Sequence, residues 1–230
     1  MHYQVDPKDV RLGDDHPFAW TDDDPDLFPG SGYYHAPNKM FWQCSAAPGY
    51  NNTCPAGHPM GNRITPSYLS VNRSLEQATP LMDQQVADQA IKTLVTLTAP
   101  PRAGTPWFCA VGFHLPHLPD LVPQRFVDMY PKAHFPDNQY APADMPNVAW
   151  SNSGELRGQY SDARALHSTG AINSTLPPAF TTELRRHYYG AVSYLDYQVG
   201  RVLDALNATG QQDNTVRVLW GDHGESYRRS

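Results

Sequence analysis

The fold of this chain is decided by the stretch Trp107-Phe108-Cys109-Ala110-Val111-Gly112-Phe113-His114-Leu115-Pro116-His117-Leu118-Pro119. Its first seven residues form a continuous apolar run, whose length predicts a β-strand that is buried on both faces of a sheet. Cys109 lies inside this run and is predicted to be a buried thiol. His114 and His117 follow, so the stretch predicts a core strand that delivers two histidines at its carboxyl end.

A second apolar run, Thr215–Trp220, predicts another buried strand, which delivers Gly221-Asp222-His223-Gly224-Glu225 at its carboxyl end. A helix is predicted before each strand, and this alternating order is typical of an α/β fold with parallel strands. Ligands of open α/β sheets bind beyond the carboxyl ends of the strands. We therefore expect both histidine-bearing segments to face the same edge of the sheet.

Two amphipathic helices complete the predicted core. The first covers residues 83–97, and Asp83 is placed to cap its start. The second covers residues 182–206, and either Thr181 or Thr182 can cap its start. Apolar residues recur in steps of three and four along one face of each helix: Val86, Ala87, Ala90, Ile91, Leu94 and Val95 in the first, and Leu184, Tyr188, Ala191, Val192, Leu195, Val199, Val202, Leu203 and Leu206 in the second.

The rest of the chain is predicted to be rich in loops. Its 230 residues include 22 prolines, about twice the usual proline content. Residues 1–80 show no sustained periodicity, and residues 131–180 are again rich in proline, asparagine and serine. A short helix with Pro123 early in it precedes the second loop. Since no linker divides the chain, residues 81–230 are predicted to be the α/β core of a single domain.

Charge and hydropathy exclude several classes of protein. The 17 Lys+Arg against 23 Asp+Glu give a net charge of −6, which excludes nucleic-acid binding driven by bulk charge. Hydrophobic residues make up 40% and charged residues 17%, a balance that supports an ordinary core and excludes disorder throughout. The longest apolar run, Trp107–Phe113, is far shorter than the roughly 20 residues of a membrane span.

Two features indicate the secretory pathway, although no signal peptide opens the sequence. Cys44 and Cys54 lie in a loop rich in proline, glycine and asparagine, where a disulfide would order the segment. Glycosylation sequons start at four asparagines, Asn51, Asn72, Asn173 and Asn207. We therefore expect a Cys44–Cys54 disulfide and an exported protein whose natural N-terminus lies further upstream.

Both histidine-bearing segments offer groups that could carry chemistry. Asp222 and His223 could supply an oxygen and a nitrogen ligand to one divalent cation. The alternative for this pair is an Asx-type turn with a solvated histidine. His114 and His117 could donate hydrogen bonds to a bound anion or transfer a proton. The alternative for either is a histidine of the core or of a helix cap.

Taken together, these segments resemble the sulfatase family. The predicted apolar strand is followed by Pro116-His117-Leu118-Pro119, which resembles the Pro-His-x-Pro pattern of sulfatases. A second histidine three residues earlier, His114, resembles the version of this pattern in the iduronate-2-sulfatase branch of that family. Tyr189–Arg201 resembles the long helix of the branch, and residues 214–224 resemble its following strand and metal motif. The resemblance implies a partial alkaline phosphatase-like sulfatase fold, with a mostly parallel sheet between helices.

The resemblance also implies a site and a reaction. Asp222 and His223 would bind the active-site calcium, His117 would hydrogen-bond the sulfate ester, and His114 would lie in the same pocket. The family cleaves sulfate esters with a hydrated formylglycine, which is made from the cysteine of a Cys-x-Pro-Ser-Arg motif. The implied substrate is a sulfated sugar or glycosaminoglycan, and the implied location of the full-length protein is the lysosome or the cell exterior.

The sequence departs from the family pattern at several points. None of the three cysteines, Cys44, Cys54 and Cys109, starts the formylglycine motif, so the nucleophile is predicted to be absent. The early strand with two calcium-binding aspartates has no counterpart, and Leu115 replaces a lysine of the iduronate branch.

These departures predict an internal fragment of a catalytic domain that is inactive alone, without its N-terminal strands and C-terminal subdomain. Two alternatives stay open. One is a non-catalytic module that binds sulfated glycans, and the other is a related hydrolase of phosphate or phosphonate esters.

Overall fold

A parallel pair of strands lies beside a long helix in the computed structural model, which describes residues 66–78, 80–131, 144–150, 152, 154–172 and 174–222. Strand β1, Tyr68–Val71, pairs with β2, Asp120–Pro123, in a register that runs from Tyr68 opposite Asp120 to Val71 opposite Pro123. The α/β class with parallel strands is therefore confirmed, and the sheet of the described residues has two strands.

Six helices surround this pair in the described part of the chain. Helices α1, Arg73–Ala78, and α2, Met82–Thr98, connect the two strands, and α3, Gln124–Val127, follows β2 directly. Helices α4, Gly154–Gln159, and α5, Ser161–Ala165, precede the long helix α6, Pro178–Ala208. Two single 3₁₀ turns cover Asn147–Ala149 and Gln212–Asn214. None of the described helices is long and apolar enough to cross a membrane.

The strands do not lie where the apolar runs predicted them. Residues 107–113 and 215–220 belong to no helix or strand, and the side chains of Phe108 and Val216 are 80% and 92% exposed. A strand exists only where a neighbouring backbone completes its hydrogen-bond ladder, and the described residues place no such backbone beside either run. Both strand predictions were wrong.

The histidines consequently have a different place in the fold. The observed β2 begins just after His117, so His114 and His117 lie at the amino end of a strand and not at the carboxyl end of one. Its partner β1 lies within residues 1–80, which were predicted to be loop-rich. Helices α4 and α5 likewise lie within residues 131–180, which were predicted to be loop.

The two long helices are confirmed, but their caps were wrong. Leu81 and Pro177 occupy the N-cap positions of α2 and α6, and neither helix start has a side-chain cap. Helix α6 begins four residues earlier than predicted because a proline is well tolerated in the first turn of a helix. Asp83 therefore does not cap α2, and neither Thr181 nor Thr182 caps α6.

Helix α6 buries a face that is rotated from the predicted one. Val192 and Leu203 were predicted to be buried but are exposed, whereas two polar residues, His187 and Gln198, are buried. The buried side chains of α6 and of the elements packed against it form two apolar clusters. The first cluster contains Val71, Leu75, Leu81, Leu115, Val122, Val127, Ala191 and Tyr194, and the second contains Leu156, Tyr160, Ala163, Leu176 and Leu184.

Gly190 allows α6 to approach α3 and β2 closely. A Cβ atom at this position would lie 3.2 Å from the backbone nitrogen of Val127 and 3.3 Å from the carbonyl carbon of Phe126. These contacts are tighter than ordinary van der Waals packing, and backbone atoms cannot move aside as a flexible side chain can. The helix therefore rests on α3 and β2 through a residue that has no side chain.

Candidate functional site

The two histidines of the candidate site lie in a tight turn, residues 114–119, that joins the two apolar clusters. Leu115 is buried in the first cluster, and Leu118 packs against the second. The backbone nitrogen of His117 donates to the carbonyl oxygen of His114 at 3.1 Å, which closes the turn. The turn is therefore held on both sides by apolar side chains, while its histidines remain half-buried.

The two imidazole rings lie side by side, with 5.0 Å between their centroids. Nδ1 of His117 lies 2.6 Å and Nε2 of His114 lies 3.4 Å from the same carbonyl oxygen, that of Leu118. Because a carbonyl oxygen only accepts hydrogen bonds, both ring nitrogens carry their hydrogen there. His117 consequently has its Nε2 left for another partner.

That partner in the structure is Glu155 of α4. The Nε2 of His117 lies 3.8 Å from Oε2 of Glu155, and the hydroxyl of Tyr160 donates to Oε1 of Glu155 at 3.2 Å. Burial, and then the negative charge of Glu155, raise the pKa of the Tyr160 phenol well above its usual value. Tyr160 therefore stays a hydrogen-bond donor to the Glu155 carboxylate, which lies between the phenol and the His117 ring.

Asp83 holds the turn from the opposite side. Its Oδ1 accepts the backbone N–H of His114 at 2.8 Å, and its Oδ2 accepts the backbone N–H of Leu115 at 2.9 Å. The side chain is only 2% exposed, and this burial raises the pKa of the carboxyl, while the two N–H donors act against the rise. The sequence pattern placed Asp83 correctly at the start of α2, but its partners lie in the histidine turn.

A further histidine, His187 of α6, was not identified from the sequence. Its Nδ1 donates to the carbonyl oxygen of Glu183 at 2.8 Å, so its Nε2 accepts the hydroxyl of Ser70 at 2.9 Å. The ring also lies against that of Tyr68, with 4.5 Å between the centroids. Burial lowers the pKa of His187, and the neutral ring connects α6 to β1. Its position among apolar residues of the helix pattern could have revealed this buried polar contact.

The structure describes only some of the other predicted site residues. Asp222 is exposed, as are the sequon residues Asn72 and Asn207, whereas Cys109 is a half-buried free thiol and not the fully buried one predicted. The remaining predictions, the disulfide among them, lie outside the described residues: His223, Cys44, Cys54, Asn51 and Asn173.

The predicted calcium site is not assembled by the part of the chain that the structure describes. These residues contain no group of three or more His, Cys, Asp or Glu side chains that could hold a metal ion. Asp222 alone would leave most of the oxygen ligands of calcium to be supplied from elsewhere. The described residues therefore do not fit a calcium ion by themselves.

Comparisons with known proteins converge on one group. The family model described as Sulfatase matches residues 25–229. Human iduronate 2-sulfatase is 31% identical over 215 residues, which cover 92% of this chain and 34% of that protein. A sulfatase of Formosa agariphila is 36% identical over 120 residues, which cover 52% of this chain and 22% of that protein. The multifunctional alkaline phosphatase superfamily protein PehA of Trinickia caryophylli is 28% identical over 129 residues, or 54% of this chain and 24% of PehA.

Proposed function

This chain belongs to the sulfatase family, and we propose that it supplies the histidine-bearing part of the active site of a sulfuric ester hydrolase. The chain spans about a third of the length of the iduronate 2-sulfatases that it matches. The observation that carries the proposal is the orientation of His117, whose Nδ1 is fixed on the carbonyl oxygen of Leu118 while its Nε2 faces the partly exposed carboxylate of Glu155 at 3.8 Å. His114 lies beside it in the same turn.

The geometry suits recognition of a sulfate ester. A protonated His117 has a second N–H, at Nε2, which can donate to a sulfuryl oxygen or to the oxygen that leaves. Positioned donors of this kind stabilise the negative charge that develops during transfer of a charged group. The ester would take the place that the Glu155 carboxylate has next to Nε2, and the exposed Glu155 side chain has solvent to turn into.

The metal and the nucleophile of the proposed site are those that the sulfatase family implies. We propose Asp222 and His223 as two ligands of a calcium ion, which would polarise the sulfuryl oxygens. None of the three cysteines starts a formylglycine motif. We therefore propose that these 230 residues alone do not hydrolyse sulfate esters.

The proposed substrate is a sulfated sugar, such as the end of a glycosaminoglycan, because two of the similar proteins are iduronate 2-sulfatases. We also propose a lysosomal or secreted location for the full-length protein, which the four glycosylation sequons support. At Asn72, the side-chain oxygen caps α1 by accepting the backbone N–H of Leu75 at 2.9 Å. A glycan would be attached to the other atom, Nδ2, so this cap is compatible with glycosylation.

A titration of the histidine rings tests the proposal. The chain, labelled with ¹³C and ¹⁵N in histidine, is titrated with a 2-sulfated hexuronic acid, and its unsulfated form is the control ligand. We expect the sulfated sugar alone to shift the ring signals of His117 and His114. His117→Gln should abolish binding, whereas the same change at the exposed His167 should leave it intact.

A second variant tests the competition at Nε2. Glu155→Gln removes the negative charge beside His117, and we expect it to strengthen binding of the sulfated sugar by a few-fold at most, as is typical of a partly exposed ion pair. Equal shifts with both sugars, or no shift of either ring at millimolar ligand, would contradict the proposal.

The similarity to PehA favours a phosphate or phosphonate ester as the second candidate substrate. The same titration with a phosphorylated sugar distinguishes it, because a phosphate-selective site would shift the rings more strongly with that ligand. A non-catalytic module for sulfated glycans has less support. Of the arginines on α6, Arg186 contacts Glu183 and Arg201 contacts Asp88, so these two charges are already balanced.

A further inference from the structure

We propose that Asp83 is the positioning residue of the histidine turn, and that its carboxylate sets the direction in which His114 and His117 face the substrate. The inference rests on the proposed function of these two histidines. Asp83 lies in the first turn of α2, outside the histidine turn, and would act on the substrate only through the two histidines.

The geometry is specific to a carboxylate. Each of the two oxygens of Asp83 accepts one backbone N–H, from His114 at 2.8 Å and from Leu115 at 2.9 Å. A neutral amide at this position would offer one acceptor, and its NH₂ group would oppose the second N–H. The first turn of a helix also favours a negative charge, which suits Asp83 to its place in α2.

The turn transmits this anchoring to both rings. Fixing the two amides fixes the backbone of His114, the ring of Pro116 locks one of the dihedral angles that follow, and the backbone N–H of His117 donates to the carbonyl oxygen of His114 at 3.1 Å. Leu115 is buried in the first apolar cluster, so the turn is held there by its side chain and by its backbone together. Few soft dihedral angles are left between the carboxylate of Asp83 and the ring of His117.

The burial of Asp83 indicates a dedicated role. A buried carboxylate is costly unless hydrogen bonds compensate it, and here the compensation comes from the backbone of the histidine turn. The neighbouring Asp88 of α2 is exposed and pairs with Arg201. Of the two acidic residues of α2, Asp83 therefore binds the histidine turn and Asp88 binds an arginine of α6. A substitution of Asp88 is the matched control for one of Asp83.

The test uses the ligand-free chain and reads the turn directly. We compare Asp83→Asn, Asp83→Ala and the control Asp88→Asn by amide hydrogen exchange and by the ring ¹⁵N shifts of His114 and His117. Loss of Asp83 should speed exchange of the His114 and Leu115 amides by about 10- to 100-fold, as expected for a lost hydrogen bond to a charged acceptor. Asp83→Asn should release only one amide.

The ring shifts separate positioning from stability. In the wild type we expect the signature of hydrogen at Nδ1 of His117, and in Asp83→Ala we expect shifts averaged between the two tautomers. A folded Asp83→Ala or Asp83→Asn protein with unchanged ring shifts and protected amides would overturn the proposal.

Two further results keep the test decisive. If neither variant folds, the wild-type protein is tested by NMR for scalar coupling across the hydrogen bonds, between the carboxyl carbon of Asp83 and the two amides. We expect this coupling, and its absence would overturn the inference. If the sulfated sugar does not bind while the rings still depend on Asp83, the proposed function fails and the positioning role stands.

Discussion

The two histidine-bearing segments, residues 107–119 and 215–223, look alike in sequence but differ in structure. Each has an apolar run followed by polar groups that could act on a ligand. The first ends in a turn that is anchored in the core, where Leu115 is only 8% exposed. The second stays at the surface throughout its described residues, and its Leu219 is 82% exposed. Apolar composition therefore predicts a tendency to be buried, and the available partners decide whether burial occurs.

The anchored part of the first segment is not its apolar run. Phe108 within that run is exposed, whereas the turn that follows is held by the backbone hydrogen bonds to Asp83. A single buried carboxylate thus orders the candidate site more than seven apolar residues do. The second segment has no comparable anchor in the part of the chain that the structure describes.

The largest expected effect is a difference in stability, seen when one leucine of each segment is replaced by alanine. Leu115→Ala should lower the free energy of unfolding by about 2–5 kcal/mol, because it leaves a cavity in the first apolar cluster. Leu219→Ala removes the same atoms from an exposed site and should change the free energy by about 0.5 kcal/mol or less. Urea denaturation of both variants measures the difference. Equal losses would show that the second segment is buried as well.

The next effect compares two glycines of α6. Gly190→Ala adds a methyl group against the backbone of Val127 and Phe126 and should destabilise the protein, since overpacking costs about 1–3 kcal/mol. Gly200→Ala adds the same group where no atom lies within 4 Å. It should stabilise the helix by up to about 1 kcal/mol, because alanine is the better helix former.

Thermal unfolding of the two glycine variants measures both changes. Opposite shifts of the melting temperature are expected from one substitution in one helix. A stabilised Gly190→Ala protein would show that α6 does not rest on β2 and α3 as described, and that the first cluster, which holds Leu115, is looser than its contacts indicate.

The elements that the sequence predicts correctly form through contacts between nearby residues, whereas the elements that it misses form through contacts between residues far apart in the chain. Helices α2 and α6 were predictable because their periodicity is a local property of consecutive residues. The strands were not, since β1 and β2 pair across about fifty residues and neither is strongly apolar along its whole length. Asp83 was identified as the start of a helix, but its partners lie 31 and 32 residues further along the chain. No local pattern contains that contact.

A smaller effect is the pH dependence that His187 confers on the folded core. Burial lowers the pKa of His187 below its ordinary 6.5, so the unfolded chain takes up the proton more readily than the folded one. Stability should therefore fall as the pH drops below about 6.5 and should not depend on this residue above it. Glu183 and Arg186 also act on the ring, in opposite directions.

Urea denaturation between pH 5 and 7.5 tests this behaviour. His187→Gln keeps a hydrogen-bonding side chain but cannot be protonated, and we expect a flatter dependence of stability on pH. His167→Gln changes an exposed histidine and should leave the wild-type slope. An identical slope in the wild type and in both variants would show that His187 takes up its proton as easily when folded.

The smallest expected effect concerns the second segment and its Asp222. Calcium takes about six to eight oxygen ligands, and the described residues bring together no three side chains that could hold it. We therefore expect no micromolar calcium binding by calorimetry and no change in stability. A site with a dissociation constant of about 10 μM would instead add about 2.7 kcal/mol at about 1 mM calcium. If such binding were observed and Asp222→Asn abolished it, the second segment would form a metal site within this chain, and the contrast with the anchored first segment would no longer hold.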